Sequence, residues 1–295
     1  MFVKQLDDRH IVVGAPAKVN LFLQVLNRRP DGYHNIYSLF QTVSLFDRLK
    51  VSRSDINGID LTLANDRDLS SGPDNLIVKA WNLMQLEYRL SGGLKVSLEK
   101  NIPIGAGLGG GSSDCAATIL ACNLLFGLKL EKKQLMQLGA KLGSDVPFFF
   151  TCGQALASGR GELLDETHNS DDYWIVLVTP NFQISTANSY AALSLTLTHE
   201  REKFMLSGYR TADELVESLR HAGNDFEANH LIVYPEIGQI RDRLLNSGAR
   251  LARLSGSGPT VFGIYREAPG SELEGLSRER DWQLHVVRPV AQPDC

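Results

Sequence analysis

Residues 103–114 read Pro-Ile-Gly-Ala-Gly-Leu-Gly-Gly-Gly-Ser-Ser-Asp, and the alanine- and leucine-rich run after them has the pattern of a helix. Five glycines and two serines directly ahead of a helix leave few uses for the segment. Without Cβ atoms, such a loop presses its N–H groups against a cluster of charged oxygens. The helix start adds about half a positive charge at the same place. The segment predicts a phosphate cradle, with the Ser112 and Ser113 hydroxyls free to add hydrogen bonds or a magnesium ligand. A flexible turn with no ligand is the competing account, and the density of glycine speaks against it.

Two better-known glycine motifs fit less well. The Walker A pattern ends in Gly-Lys-Ser/Thr, and no lysine follows here. Gly105-x-Gly107-x-x-Gly110 matches the dinucleotide fingerprint formally, but the proline before it and the serine pair after it are foreign to that motif. The 295-residue length suggests about two domains. A formal net charge of −4 excludes a nucleic-acid partner held by bulk charge. No apolar run approaches the ~20 residues that span a bilayer, and no signal peptide is visible. Cys115, Cys122, Cys152 and Cys295 are too scattered for a zinc site or a disulfide framework. A reduced, cytoplasmic enzyme is the class that these features predict.

The order of elements points to α+β in two lobes rather than a regularly alternating parallel sheet. Residues 11–26 alternate as a strand, Pro30-Asp31-Gly32 reads as a turn, and 33–45 as a second strand. A further strand is expected at 94–99, helices at 115–126 and 130–142, and a buried strand at 148–151. The polar stretch 164–173 reads as the connector, which sets domains of 1–163 and 174–295. Beyond it come a strand at 174–178, several polar helices, a helix at 235–246, and a strand–turn–strand unit at 249–265.

Four further segments hold groups with chemical potential. Lys18 and Asn20 share one side of the first strand; a site and a solvent-facing sheet surface explain them equally. Asp145, in Gly-Ser-Asp-Val-Pro, is a capping carboxylate or a partly buried functional one. Tyr33 and His34 leave a tight turn together, which suits a nucleobase or an ordinary surface turn. Residues 254–260 form a second glycine loop, either a hairpin bend or the backbone wall of a pocket.

In this order the segments resemble the GHMP kinases, named for galactokinase, homoserine, mevalonate and phosphomevalonate kinases. The three motifs of that superfamily correspond to residues 15–20, 103–114 and 254–260, spread over almost the whole chain. Lys18-x-Asn20, Asp31-Gly32-Tyr33-His34 and Gly143-Ser144-Asp145-Val146-Pro147 narrow the resemblance to the branch whose acceptor is a cytidine diphosphate-linked methylerythritol. Asp74-Asn75-Leu76-Ile77 and Asn224-Asp225-Phe226-Glu227 agree with it.

The resemblance implies an N-terminal lobe like ribosomal protein S5 domain 2 and a ferredoxin-like C-terminal lobe, with both substrates meeting between them. It implies ATP and magnesium, a small-molecule acceptor, no nucleic acid, no membrane, and a monomer or homodimer. Lys18 and Asp145 would be catalytic, with Asp145 beside the acceptor hydroxyl. Asn75, Lys100, Pro103, Gly105, Gly107, Leu108, Gly109, Gly110, Gly111, Ser112 and Ser113 would bind ATP. Asn20, Tyr33, His34, Thr186 and Tyr190 would bind the acceptor. Asp114 stands where some relatives carry asparagine, and is expected to be tolerated at a helix start. No carboxylate stands out as a magnesium ligand. A homoserine or mevalonate kinase, a non-catalytic nucleotide-binding module and, distantly, a dinucleotide oxidoreductase are the alternatives.

Overall fold

The computed structural model describes residues 1–65, 69–167, 172–193, 209, 211–270, 273 and 281–291. Its spine is one long antiparallel hairpin, β2 (His10–Arg28) and β3 (His34–Ser54), closed by the expected turn, where Gly32 takes a φ of +85°. β1 (Phe2–Asp7) pairs with β2, and β5 (Gly93–Glu99) with the distal half of β3. β4 (Gly58–Leu63) runs parallel to β5 at the edge. The proximal half of β3 pairs instead with β6 (Gln154–Ser158), which carries β7 (Leu163–Glu166). That edge strand is the first part of the stretch expected as a connector. The polar run misleads because an edge strand also faces water. Residues 168–171 of that stretch, and Cys295, lie outside the described residues.

The sequence alternation of β2 suggests one covered face, but the strand is buried continuously from Val13 to Val25. Helices α1 (Leu76–Tyr88), α2 (Gly110–Leu125) and α3 (Lys132–Ala140) share a core with one side of the sheet, around the fully buried Trp81. A second core joins Val19, Leu21 and Phe22 to Ile175, Leu177 and Phe262 of the other lobe. Irregularities in register at Pro16/Ala17 and Asn20/Phe22 re-aim the side chains between these two cores. The solvent-facing account of Lys18 and Asn20 therefore fails: both are buried.

The C-terminal lobe holds β8 (Trp174–Thr179), β9 (Leu251–Leu254), β10 (Val261–Tyr265) and β11 (Gln283–Val287) in the antiparallel order β11-β8-β10-β9. Counted within the lobe this is 4-1-3-2, the ferredoxin-like order. With it come α4 (Thr186–Ala192), α5 (Ala212–Arg220), α6 (Glu227–Val233) and α7 (Pro235–Asn246). The expected strand at 148–151 is instead a 3-10 turn, Pro147–Phe150, closed by Thr151 donating through N–H and hydroxyl to the Phe148 carbonyl. All three phenylalanines are fully buried. An unbroken apolar triplet does not distinguish a buried strand from such a turn.

Candidate active site

The helix after the glycine run starts earlier than its apolar pattern indicates. Gly109, at φ +69°, is the N-cap of α2, so Gly110 to Asp114 already lie in its opening turns. Gly109 supplies no side-chain cap, and the first amides of a helix have no partner within it. They border a cavity of about 420 Å³ lined by Ser70, Asn75, Pro103, the glycine loop and Ser112. Asn75 caps α1 by accepting from the Ile77 N–H at 2.9 Å and donating to the Ser70 carbonyl at 2.7 Å. Two helix N-termini thus converge on one hollow, which favours anions.

On the other side of the loop, the Lys18 ammonium lies 3.1 Å from the Asp145 carboxylate and donates to Asn20 Oδ1 at 2.6 Å. It also sits 4.6 Å over the Phe40 ring. The Lys18 side chain is 5 % exposed and that of Asp145 31 %, so the amine is deep and the carboxylate reaches the opening. The Asn20 amide donates to Ser38 Oγ at 2.9 Å, which fixes the orientation of its carbonyl. Lys18, Asn20, Phe40 and Asp145 line a second cavity of about 260 Å³ with Arg160, Thr186 and Tyr190. Gly105, Gly107 and Gly109 line both cavities. An anion-accepting hollow and a lysine–carboxylate pair are therefore separated by bare backbone.

The GHMP kinases N terminal domain family matches residues 75–153, and the GHMP kinases C terminal family matches 206–278. A Syntrophotalea carbinolica protein named 4-diphosphocytidyl-2-C-methyl-D-erythritol kinase is 42 % identical over 280 residues, covering 94 % of this chain and 98 % of its own. A Geobacter metallireducens protein of the same name is 38 % identical over 285 residues, covering 96 % and 99 %. The chain belongs to the 4-diphosphocytidyl-2-C-methyl-D-erythritol kinase family of GHMP kinases. A crystal structure of 4-(cytidine 5'-diphospho)-2C-methyl-D-erythritol kinase superposes with a TM-score of 0.74 at 32 % identity, over 94 % of this chain and 99 % of that one. A mevalonate kinase reaches 0.73 at 15 % identity, over 95 % and 99 %; that likeness is one of fold alone.

Within this kinase fold, the expected nucleotide residues Asn75, Lys100, Pro103, Gly105, Gly107, Leu108, Gly109, Gly110, Gly111 and Ser112 all line the larger cavity. Ser113 does not: it is fully buried, because the fourth position after the cap turns into the core. Of the expected acceptor residues, Asn20, Thr186 and Tyr190 line the smaller cavity. Thr186 shares a hydrogen bond with Ser257 of the second glycine loop at 2.9 Å, which ties α4 to that loop. His34 stacks on Tyr190, with centroids 4.9 Å apart and planes 16° from parallel. A base entering between them has to part the two rings. Burial lowers the His34 imidazole pKa and pushes the Tyr190 phenol up to about 12, so both meet a ligand as neutral rings near pH 7. Tyr33 stands outside this stack: it is 56 % exposed and lies under the Arg160 guanidinium at 4.9 Å.

Lys100 lines the larger cavity, yet its ammonium is held by two buried carboxylates, Asp47 and, at 2.9 Å, Asp114. Asp114 is therefore an ion-pair partner of Lys100 and not merely a carboxylate tolerated at a helix start. Burial pushes its carboxyl up to about 7 from an ordinary 3.8, against the pull of Lys100 and with Asp47 adding to the rise. A carboxyl that holds its proton more tightly when folded loses stability as pH rises between those two values. The expected result is a melting temperature that falls by several degrees from pH 5 to pH 8. Asp114→Asn should flatten that fall and melt higher than wild type at pH 8; equal slopes by calorimetry would contradict it.

Sequence reasoning passed over three residues. Arg160 follows Gly159 in the β6–β7 turn, with no motif around it to mark it as cavity-lining. Asp47 is one acidic residue in a strand. Asn224 was visible only inside a short matching string. Its amide donates to the Leu254 and Gly256 carbonyls at 2.9 and 2.8 Å, which holds the second glycine loop in place. Beside it, the Asp225 N–H donates to Leu23 O, and Asp225 Oδ2 accepts from the Val25 N–H, so the segment fastens the lobes together.

Proposed function

We propose that the protein transfers the γ-phosphoryl group of ATP to the 2-hydroxyl of 4-diphosphocytidyl-2-C-methyl-D-erythritol, a cytoplasmic step of the non-mevalonate route to isoprenoid precursors. The observation that carries this reading is the Lys18–Asp145 pair, 3.1 Å apart, across a glycine wall from an anion-accepting hollow. Near-full-length identity of 38–42 % to relatives of that name supports the choice of acceptor.

Phosphoryl transfer asks mainly for alignment and for neutralisation of charge. The amides of 105–111 receive the phosphates. The acceptor lies on the other side, its hydroxyl between Asp145 and the wall. Asp145 accepts the hydroxyl proton as the new P–O bond forms. Lys18, held by Asp145 and Asn20, offsets charge on the transferring group. Among the described residues, Arg160 is the one charged residue lining that cavity besides the Lys18–Asp145 pair, and it would meet the diphosphate of the acceptor. His34 and Tyr190 take the cytosine.

Among the described residues no group of three His, Cys, Asp or Glu is placed to cage a metal ion. Magnesium keeps several waters when bound and would need few protein ligands here. Ser112 is the loop hydroxyl that would complete its shell, and magnesium would supply charge neutralisation there. The lobe that ends with β7 holds the nucleotide, and the lobe from β8 completes the acceptor cavity.

A coupled ATP-turnover assay of the purified protein against the cytidyl acceptor, homoserine and mevalonate tests the reading. Turnover with the first alone is expected. Turnover with mevalonate or homoserine in its place would move the protein to another branch of the same fold.

A further inference from the structure

Asp47 lies in β3, away from the glycine loop in sequence, and is fully buried. A buried charge is retained only where it is well paired, and the partners of Asp47 converge on one short segment. Asp47 Oδ1 accepts the backbone N–H groups of Asn101 at 2.6 Å and Ile102 at 2.8 Å, and Oδ2 accepts the Lys100 ammonium. The Asn101 side chain donates to the Phe46 carbonyl at 3.0 Å. Asn65 brackets Lys100 from the far side, accepting from its N–H at 2.7 Å and donating to its carbonyl at 2.9 Å. Residues 100–102 are thus held by all three backbone N–H groups and by the Lys100 carbonyl just before the loop begins at Pro103.

The same ammonium reaches the other end of the loop. Lys100 donates to Asp114 Oδ2 at 2.9 Å, in the opening turns of α2. A Cβ on Gly110 would lie 2.8 Å from Lys100 Nζ and 3.0 Å from Ile102 Cγ2, so the helix start rests directly on this cluster. The segment 103–113 leaves one anchored point and returns to another, both referred to a single carboxylate of the central sheet. Two of the three Lys100 ammonium donors are taken up by protein carboxylates.

We propose that Asp47 is a positioning residue for nucleotide binding: through the backbone of 101–102 and the Lys100–Asp114 bridge it holds both ends of the glycine loop, so that the loop amides are aligned before a triphosphate arrives. The inference rests on the loop being the site of the ATP phosphates, as proposed above. Pre-alignment spares binding the cost of ordering the loop. Loss of the brace therefore appears in nucleotide affinity and not in the chemical step.

The test uses a non-hydrolysable ATP analogue with magnesium, titrated calorimetrically without any acceptor, beside steady-state kinetics. Asp47→Asn should weaken the analogue by tenfold or more and raise KM for ATP alike, with kcat and the acceptor KM within about twofold. Amide hydrogen exchange over 105–111 should speed up while exchange in α7 stays as in wild type. If Asp47→Asn does not fold, Asp114→Ala removes the helix-side anchor only, and a three- to tenfold loss of analogue affinity is expected. Unchanged or tighter binding in either variant overturns the proposal, because releasing Lys100 would then have helped the nucleotide. A parallel rise in both KM values with faster exchange throughout also overturns it, since that marks a general loss of structure. A wild-type protein that does not bind the analogue would instead sink the function proposed for the loop.

Discussion

Replacing Asp145 with asparagine should lower kcat by about two orders of magnitude or more, with both KM values within a few-fold of wild type. The substitution keeps the volume and a hydrogen-bonding oxygen for Lys18, which sits 3.1 Å away. It removes the group proposed to take the acceptor's proton and the charge facing the ammonium. Both losses fall on the transition state, where the hydroxyl proton is departing and charge is shifting between oxygens. Steady-state kinetics with each substrate varied in turn, together with calorimetric binding of the acceptor, separate the chemical step from binding. A variant that turns over at nearly the wild-type rate would reduce Asp145 to a structural partner of Lys18.

Gly107→Ala is expected to damage both cavities at once. A Cβ at this position would sit 2.3 Å from the Ser255 carbonyl oxygen and 3.1 Å from the Gly258 backbone, with φ at +76°. Backbone atoms cannot swing aside as a flexible side chain does. The left-handed conformation adds ~1–2 kcal/mol for a residue with a Cβ, and overpacking about 1–3 kcal/mol more. The two glycine loops would be prised apart, breaking the 3.0 Å hydrogen bond from Ser255 Oγ to the Gly107 carbonyl. We expect kcat/KM for ATP to fall by about a hundredfold or more and the melting temperature by several degrees. Gly223→Ala is the control, since its Cβ meets nothing within 4 Å. A Gly107→Ala enzyme as active as that control would show that the contact between the loops is dispensable.

Much of the fold was legible where local chemistry and tertiary packing agree. The helix at Pro235–Asn246 starts on its proline, and the turn at 30–32 joins the strands its proline and glycine predict. Legibility failed where packing overrode pattern. Gly110 and Gly111 are poor helix formers, yet they occupy the first turn of α2, and at Gly110 a Cβ would crowd Lys100 and Ile102. The alternation of β2 suggested a wet face that the glycine loop, Phe40 and the second lobe cover in fact.

The site divides in the same way. Lys18, Asp145 and the glycine run stand in local strings whose composition is unusual in itself. Asp47 and Arg160 acquire their meaning only from residues brought to them by the fold, so no window of sequence marks them. Tyr33 shows the converse. Its string is distinctive, but the ring faces Arg160 at the rim rather than the cavity.

The partition formed by Gly105, Gly107 and Gly109 carries no side chain on either side. The two compartments therefore adjoin across one stretch of backbone, and a compound long enough to reach past it would span both. A phosphate-bridged adduct of adenosine and the alcohol would occupy both compartments as a single molecule, and its second half would bind at a high effective concentration once the first was seated. That geometry recommends two-headed inhibitors over ligands built for either compartment alone.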